Sequence, residues 1–239
     1  MCGRYVRRSD KQRIAEWFHA EADAAGDPMP EADYNIAPTT HQPIVRESKE
    51  TGRRKLVLAR WGLVPYFTRD LKDLKTMSTI NARAESITTT GMWREPVRKR
   101  RCLVPADAFY EWPKDATAPR QPYAIEMKDG SPFAFAGLWD AWKDAEGKWL
   151  QSFAIVTTEA NELMAKIHPR MPVILRQGDY DRWLDREETE RLPLDLLRPF
   201  DAEALVMHEA NAKVNSSRNN GPEMLRKAEE MAEDGILPL

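Results

Sequence analysis

RCLVPADAFYEW (residues 101–112) is a strand-length run of apolar and β-favouring side chains. Three more such runs follow at short intervals: PYAIEMK (122–128), FAFAGLWDAW (133–142) and WLQSFAIVT (149–157). In the second, Tyr123, Ile125 and Met127 alternate with more polar neighbours, the period of a half-buried strand. Working outward, RKLVLARW (54–61) reads as a buried strand, and MPVIL (171–175) and residues 204–208 as short ones. Helical spacing is sparser. A helix capped by Ser9 would carry Ile14, Trp17 and Phe18 on one face. Another, after Thr158, would carry Ala160, Leu163, Met164 and Ile167. A short amphipathic helix is predicted at 180–186, and a charged one at 222–234. Residues 21–38 and most of 65–100 read as loop. Strands and helices do not alternate as they do in a βαβ chain. The expectation is therefore α+β: one domain over residues 1–239, with a curved, barrel-like, mainly antiparallel β core flanked by helices.

The 239 residues, 42% of them hydrophobic, suffice for one sizeable core. Lys plus Arg number 36 against 38 Asp plus Glu, a net charge of -2, so a nucleic-acid partner must use a local patch. No apolar run is long enough for a membrane-spanning helix, and Arg4 interrupts any signal-peptide core, so a cytoplasmic protein is expected. The two cysteines, Cys2 and Cys102, make no disulfide framework, and no His/Cys spacing fits a metal; neither a metal nor a cofactor is expected.

Cys2 directly follows Met1, and a side chain this small permits removal of the initiator. That leaves an N-terminal 1,2-aminothiol, whose amine condenses with an aldehyde and whose thiol then closes a thiazolidine ring. The amine must be neutral to attack, and an ordinary α-amine titrates at roughly 7.7–8.0. A general acid/base is needed beside it. Glu111, among Phe109, Tyr110 and Trp112, reads either as a desolvated carboxyl of raised pKa or as a strand-end glutamate with its charge in water. His168, in IHPRMP (167–172), reads as a positioned proton shuttle or as a helix-terminal histidine. Asn81 and Arg83, in NARAES (81–86), offer an amide for orientation and a fork for phosphate, or an ordinary turn. Two basic clusters (Arg4, Arg7, Arg8, Lys11, Arg13; and Arg94, Arg98, Lys99, Arg100, Arg101) interleave with Trp61, Tyr66, Phe67, Trp93 and Trp112. A cationic groove with stacking rings is what single-stranded nucleic acid requires.

Ordered blocks along nearly the whole chain resemble the SRAP (SOS-response-associated peptidase) family: MCGRY (1–5), YNIAPTT (34–40), RWGLVP (60–65), INARAES (80–86), RCLVPADAFYEW (101–112), IVTTEAN (155–161), IHPRMPVIL (167–175) and VNSSRNNGPE (214–223). The resemblance implies a thiazolidine crosslink between Cys2, freed of Met1, and an abasic site in single-stranded DNA, shielding the lesion. It implies that Asn81 positions the amine and sugar, Glu111 acts as general acid/base, and His168 assists ring opening and crosslink reversal. It also places Arg4, Pro38, Trp61, Arg83, Trp112, Thr157 and Arg170 along the DNA. Lyase-like chemistry and a peptidase activity that exposes Cys2 are further implications. A monomer on single-stranded DNA, without metal or membrane, is the expected state. Three other readings stay open: an N-terminal-nucleophile hydrolase or amidotransferase using the Cys2 thiol, a cysteine peptidase built on Cys2, His168 and Glu111, and a non-catalytic single-strand binder.

Overall fold

The computed structural model describes residues 2–22, 28–76, 79–114 and 121–226. In chain order the elements are β1 (Tyr5–Arg7), α1 (Lys11–Trp17), β2 (Glu21–Ala22), β3 (Asp33–Ile36), β4 (His41–Glu47), β5 (Arg54–Trp61), β6 (Asn81–Arg83), α2 (Gly91–Lys99), β7 (Arg101–Ala106), β8 (Ala108–Glu111), β9 (Tyr123–Met127), β10 (Phe133–Lys143), β11 (Trp149–Glu159), β12 (Arg170–Pro172), β13 (Ile174–Leu175), α3 (Tyr180–Leu184) and β14 (Leu205–Glu209). Strands β11, β10, β7, β4 and β5 pair in that order, all antiparallel. β5 then returns to β11 in parallel, Ser152 opposite Arg60 and Phe153 opposite Trp61, which closes a five-stranded barrel. A second, antiparallel sheet runs β14-β9-β8-β1-β3. The barrel-like α+β architecture expected from residues 101–157 is the one formed.

Strand alternation sorts the barrel side chains into two sets. Ile44, Ala59, Trp61, Cys102, Val104, Phe135, Phe153 and Ile155 pack together and onto Cys2, Tyr5, Phe109 and Ile125 of the second sheet. Val45, Leu56, Leu103, Ala136, Leu138 and Val156 face the other way and are covered by Ile14 and Phe18 near α1, Trp93 and Val97 of α2, and Trp183 and Leu184 of α3. Gly137 is needed where β10 packs against β7: a Cβ there would lie 2.7 Å from Cys102 Sγ and 2.8 Å from Val104 Cγ2.

The run 101–112 forms two strands, β7 in the barrel and β8 in the second sheet, because Asp107 breaks it. Asp107 is buried, and its carboxylate accepts from the Arg8 N–H (2.7 Å), the Ser9 N–H (2.9 Å) and the Ser9 hydroxyl (2.7 Å). It therefore fixes the angle at which the N-terminal strand enters the second sheet. Asp107→Ala would orphan three donors, and we expect a loss of about 3 kcal/mol in chemical denaturation, since each buried unsatisfied group costs roughly 1–3 kcal/mol. Ser9 is thus a partner of Asp107 and not a helix cap; α1 is capped by Asp10, which accepts from the Arg13 N–H.

Other local expectations are corrected by packing. Thr158 ends inside β11, paired with Met171, so the helix predicted after it shrinks to a 3-10 turn at Met164–Lys166, with Asn161 Oδ1 accepting from the Met164 N–H at 2.9 Å. α2 lies in the stretch read as loop; Trp93 and Val97, four residues apart, supply its buried face despite Pro96. Of the charged helix predicted at 222–234, Pro222–Leu225 is a 3-10 turn and residues from 227 onward lie outside the described ones. Two cations of the basic clusters are withdrawn from any surface patch. Arg7 is buried and donates to the carbonyls of Ser9, Pro30 and Glu31. Arg101, also buried, donates to the carbonyls of Trp183, Val97, Arg98 and Asp185, tying α2 and α3 to β7.

Candidate active site

Four separate segments bring Cys2, Asn81, Glu111 and His168 together. Cys2 is buried just ahead of β1. β1 pairs antiparallel with β8, Tyr5 opposite Phe109, and the Tyr110 N–H donates to the Arg4 carbonyl at 3.0 Å. Continuing that register by two residues sets Glu111, at the end of β8, opposite Gly3. Asn81 opens β6, which lies parallel to β11 with Asn81 opposite Ile155. Its Nδ2 donates to the Cys2 carbonyl at 2.9 Å, while its Oδ1 is buried without a hydrogen-bond partner among the described residues. His168 follows the 3-10 turn, its N–H bonded to the Met164 carbonyl (2.9 Å), and the Lys114 N–H reaches the Ile167 carbonyl (3.2 Å). That bond ties the segment after β8 to the His168 loop. Arg170 N–H lies 3.0 Å from His168 Nδ1.

Burial dominates the electrostatics. It pushes the Cys2 thiol up, and the Glu111 carboxylate pushes it further in the same direction. Burial also raises Glu111 above the usual carboxylate range, with His168 among the charges working against it. Glu111 is 3% exposed, which decides between its two readings: it is a desolvated carboxyl and not a strand-end charge in water. A carboxyl of raised pKa can deliver a proton, and in its carboxylate form it opposes a thiolate beside it.

A family profile for SOS response associated peptidase matches residues 1–217. The chain belongs to the SRAP family. Among similar proteins of this family, the abasic site processing protein YoqW of Bacillus subtilis is 37% identical, over 94% of this chain and 99% of its own length. The abasic site processing protein YMR114C of Saccharomyces cerevisiae is 30% identical, over 95% of this chain and 68% of its own. The abasic site processing protein HMCES of Mus musculus is 29% identical, over 94% and 71%. A crystal structure of a protein from Bacteroides thetaiotaomicron superposes with a TM-score of 0.81 at 27% identity, covering 95% of this chain and all (100%) of that one. Another, from Bordetella bronchiseptica, gives a TM-score of 0.74 at 29% identity, covering 88% and 100%.

The SRAP fold distributes the expected DNA contacts unevenly. Arg83 is exposed at the end of β6, opposite Thr157 of β11. Pro38 is half-buried in the turn before Thr39, a non-glycine residue with φ +76°. Trp112 is half-buried, and its indole N–H donates to Asn215 Oδ1 at 2.7 Å. Arg4 is half-buried, and its guanidinium donates to Asn35 Oδ1 (2.7 Å) and the Val214 carbonyl (2.8 Å), which stitches the segment after residue 213 to β3. Two expectations are corrected. Trp61 has no exposed surface: it stacks on Phe153 at 6.4 Å, meets Tyr5 edge-on at 5.2 Å and donates to the Ile80 carbonyl, so no base can stack on it. Thr157 is fully buried and touches Arg170. Arg170 is half-buried, paired with Glu85 and bonded to Thr157.

Within the aromatic set that interleaves with the basic clusters, the exposed rings are instead Tyr66 and Phe67, each 57% exposed and 5.3 Å apart edge-to-face, on the segment between β5 and β6. Among the bonds that hold that segment are Tyr66 N–H to Asp140 Oδ2 (3.1 Å), Trp142 Nε1–H to the Thr68 carbonyl (2.6 Å) and Val64 N–H to Ser152 Oγ (2.8 Å). In the sequence these rings stand out only as members of a scattered aromatic set. Glu85 and Asn35 lie inside two of the quoted blocks, but nothing in the sequence gives either a role, because each acts through a partner distant in the chain.

Proposed function

We propose that this chain, once Met1 is removed, crosslinks to abasic sites in single-stranded DNA. The Cys2 α-amine attacks the aldehyde of the ring-opened sugar, and water leaves as the imine forms. The thiol then adds across the C=N bond: a C–S bond forms, the thiol proton passes to nitrogen, and a thiazolidine results. Glu111 in its neutral form protonates the departing hydroxyl and, as carboxylate, takes the proton back. Asn81 grips the Cys2 carbonyl and keeps Oδ1 for the amine or the sugar. His168 moves protons in ring opening and in reversal. Arg83 meets a flanking phosphate, and Tyr66 and Phe67 supply the ring faces on which bases stack.

The observation that carries this reading is the Asn81 bond to the Cys2 carbonyl, which orients the residue at its backbone end rather than at its sulfur. The names of the relatives, abasic site processing proteins, support the same substrate. A peptidase or glutaminase reading needs a thiolate as first nucleophile, and burial with a neighbouring carboxylate works against one. Intact mass spectrometry of the mature protein with a single-stranded abasic oligonucleotide tests the proposal. We expect a product of summed mass less one water. An unshifted protein peak, or an equal shift with an oligonucleotide lacking the abasic site, would refute it.

A further inference from the structure

The block VNSSRNNGPE (214–223) lies outside the chemistry of Cys2, yet three segments around the site converge on its turn. After the 3-10 turn Ala212–Asn215, the chain doubles back through residues 216–220 and is closed on itself by Asn219 Nδ2, which donates to the Lys213 carbonyl at 2.8 Å. Val214 is buried in the core cluster that also holds Tyr110 and Ala124, and its carbonyl accepts from Arg4 Nη1 at 2.8 Å. Asn215 Oδ1 accepts the indole N–H of Trp112, the residue after Glu111, at 2.7 Å. Asn220 Oδ1 accepts the Tyr34 N–H at 2.8 Å. Asn35, on β3 and 3% exposed, joins the turn to the N-terminal segment. Its Nδ2 donates to the carbonyls of Ser216 (2.9 Å) and Asn219 (2.8 Å), and its Oδ1 accepts from Arg4 Nη1 (2.7 Å). One carboxamide thus donates twice and accepts once, which neither aspartate nor leucine of the same shape can do. Both hydrogens of Arg4 Nη1 are used in these bonds. The opposite edge of the guanidinium, Nε and Nη2, has no hydrogen-bond partner among the described residues. Such an edge takes a phosphate with two parallel bonds.

We infer that the turn 214–220 positions the side chains that meet DNA, and that Asn35 is its positioning residue, acting through Arg4. By occupying Nη1, Asn35 and the Val214 carbonyl fix the plane of the Arg4 guanidinium and leave its Nε–Nη2 edge to a phosphate. On the same turn, Asn215 holds the Trp112 ring for a flanking base. Phosphate contacts set the register of a bound strand, so the turn helps to place the sugar over Cys2. The inference rests on the reading of single-stranded DNA as the ligand for its functional consequence, but its structural consequence can be read without DNA.

The test uses mature full-length protein and the variants Asn35→Ala and Asn215→Ala. Without DNA, proton–nitrogen NMR of the arginine side chains, with Arg4→Lys for assignment, should resolve separate Nη1 and Nη2 signals for the clamped Arg4 of wild type. In Asn35→Ala the two should merge as the guanidinium rotates, and in Asn215→Ala they should stay apart. Noncovalent binding of a single-stranded oligonucleotide is then followed against salt. Asn35→Ala should raise Kd about fivefold and make the dependence of log Kd on log salt shallower by about 0.7, the share of one single-strand phosphate. In an Arg4→Ala background it should change neither further. Asn215→Ala should raise Kd about fivefold, the low end for one stacked base, with the salt slope kept. A purely structural loss lowers the folded fraction and leaves that slope alone. Separate Arg4 signals in Asn35→Ala, or an unchanged slope, would overturn the inference. So would an equal slope change in Asn215→Ala, which would mark collapse of the whole turn. Should Asn35→Ala not fold, Asn215→Ala decides, since that residue is exposed: weaker binding at constant slope supports the turn's role, and unaltered binding refutes it. If wild type binds no single-stranded DNA, the functional reading fails while the Arg4 signals still decide the clamp.

Discussion

Replacing Cys2 by alanine should abolish the heat-stable DNA adduct completely while leaving noncovalent binding of single-stranded abasic DNA within about twofold, because the side chain makes no phosphate contact. The reason lies in the division of labour within the residue. The alanine variant keeps the α-amine, so an imine with the sugar aldehyde still forms; without a thiol, nothing captures it as a ring. Borohydride should therefore trap a covalent complex of Cys2→Ala that denaturing gels miss in its absence. Loss of one buried sulfur leaves a small void in the core cluster that also holds Tyr5, Trp61 and Phe135, worth about 1 kcal/mol, in the usual range for a single core truncation, so the variant should fold. A borohydride-independent adduct in Cys2→Ala would show that another nucleophile does the chemistry.

The second large effect is expected of Glu111→Gln. Crosslinking at saturating DNA should slow about a hundredfold, the lower end of what a positioned general acid/base contributes, with little change in Kd. The same substitution should stabilise the protein. Burial raises the folded-state pKa of Glu111, so the stability that this group contributes is full below the pKa of an unfolded glutamate and is lost as pH rises through the folded value. Glutamine stays neutral throughout. Glu111→Gln should consequently melt above wild type at alkaline pH, and the gap should close as pH falls. Wild-type crosslinking should also lose rate as pH rises through that same folded value, a limb absent from the variant. Parallel loss of rate and of stability would instead mark Glu111 as a structural residue.

Much of this molecule was legible in one dimension because its strands announce themselves. The runs 122–128, 133–142 and 149–157 became β9, β10 and β11, each close to its expected bounds. Strand period is a local property, since burial of alternate faces depends on immediate neighbours. Helix signals fared worse because this fold subordinates them. Thr158 has the chemistry of a helix cap, yet β12 captures its backbone. Trp93 and Val97 make a helix out of an arginine-rich stretch only because the barrel's outer face receives them. The break at Asp107 was invisible for the same reason: its partners, Arg8 and Ser9, lie about a hundred residues away.

The site divides along the same line. The sequence by itself determined the reactive groups: a cysteine that becomes N-terminal once Met1 is removed, an asparagine, a glutamate among aromatics and a histidine followed by two prolines, in blocks that mark the SRAP family. These are chemical identities, and chemistry is written residue by residue. Only the tertiary structure decided which of them are available. It buried Trp61 and exposed Tyr66 and Phe67; it desolvated Glu111, bound Arg101 to helix ends, and joined Arg170 to Glu85 and Thr157. Exposure and pKa are set by what packs around a group, and those neighbours come from segments that meet only when the barrel closes.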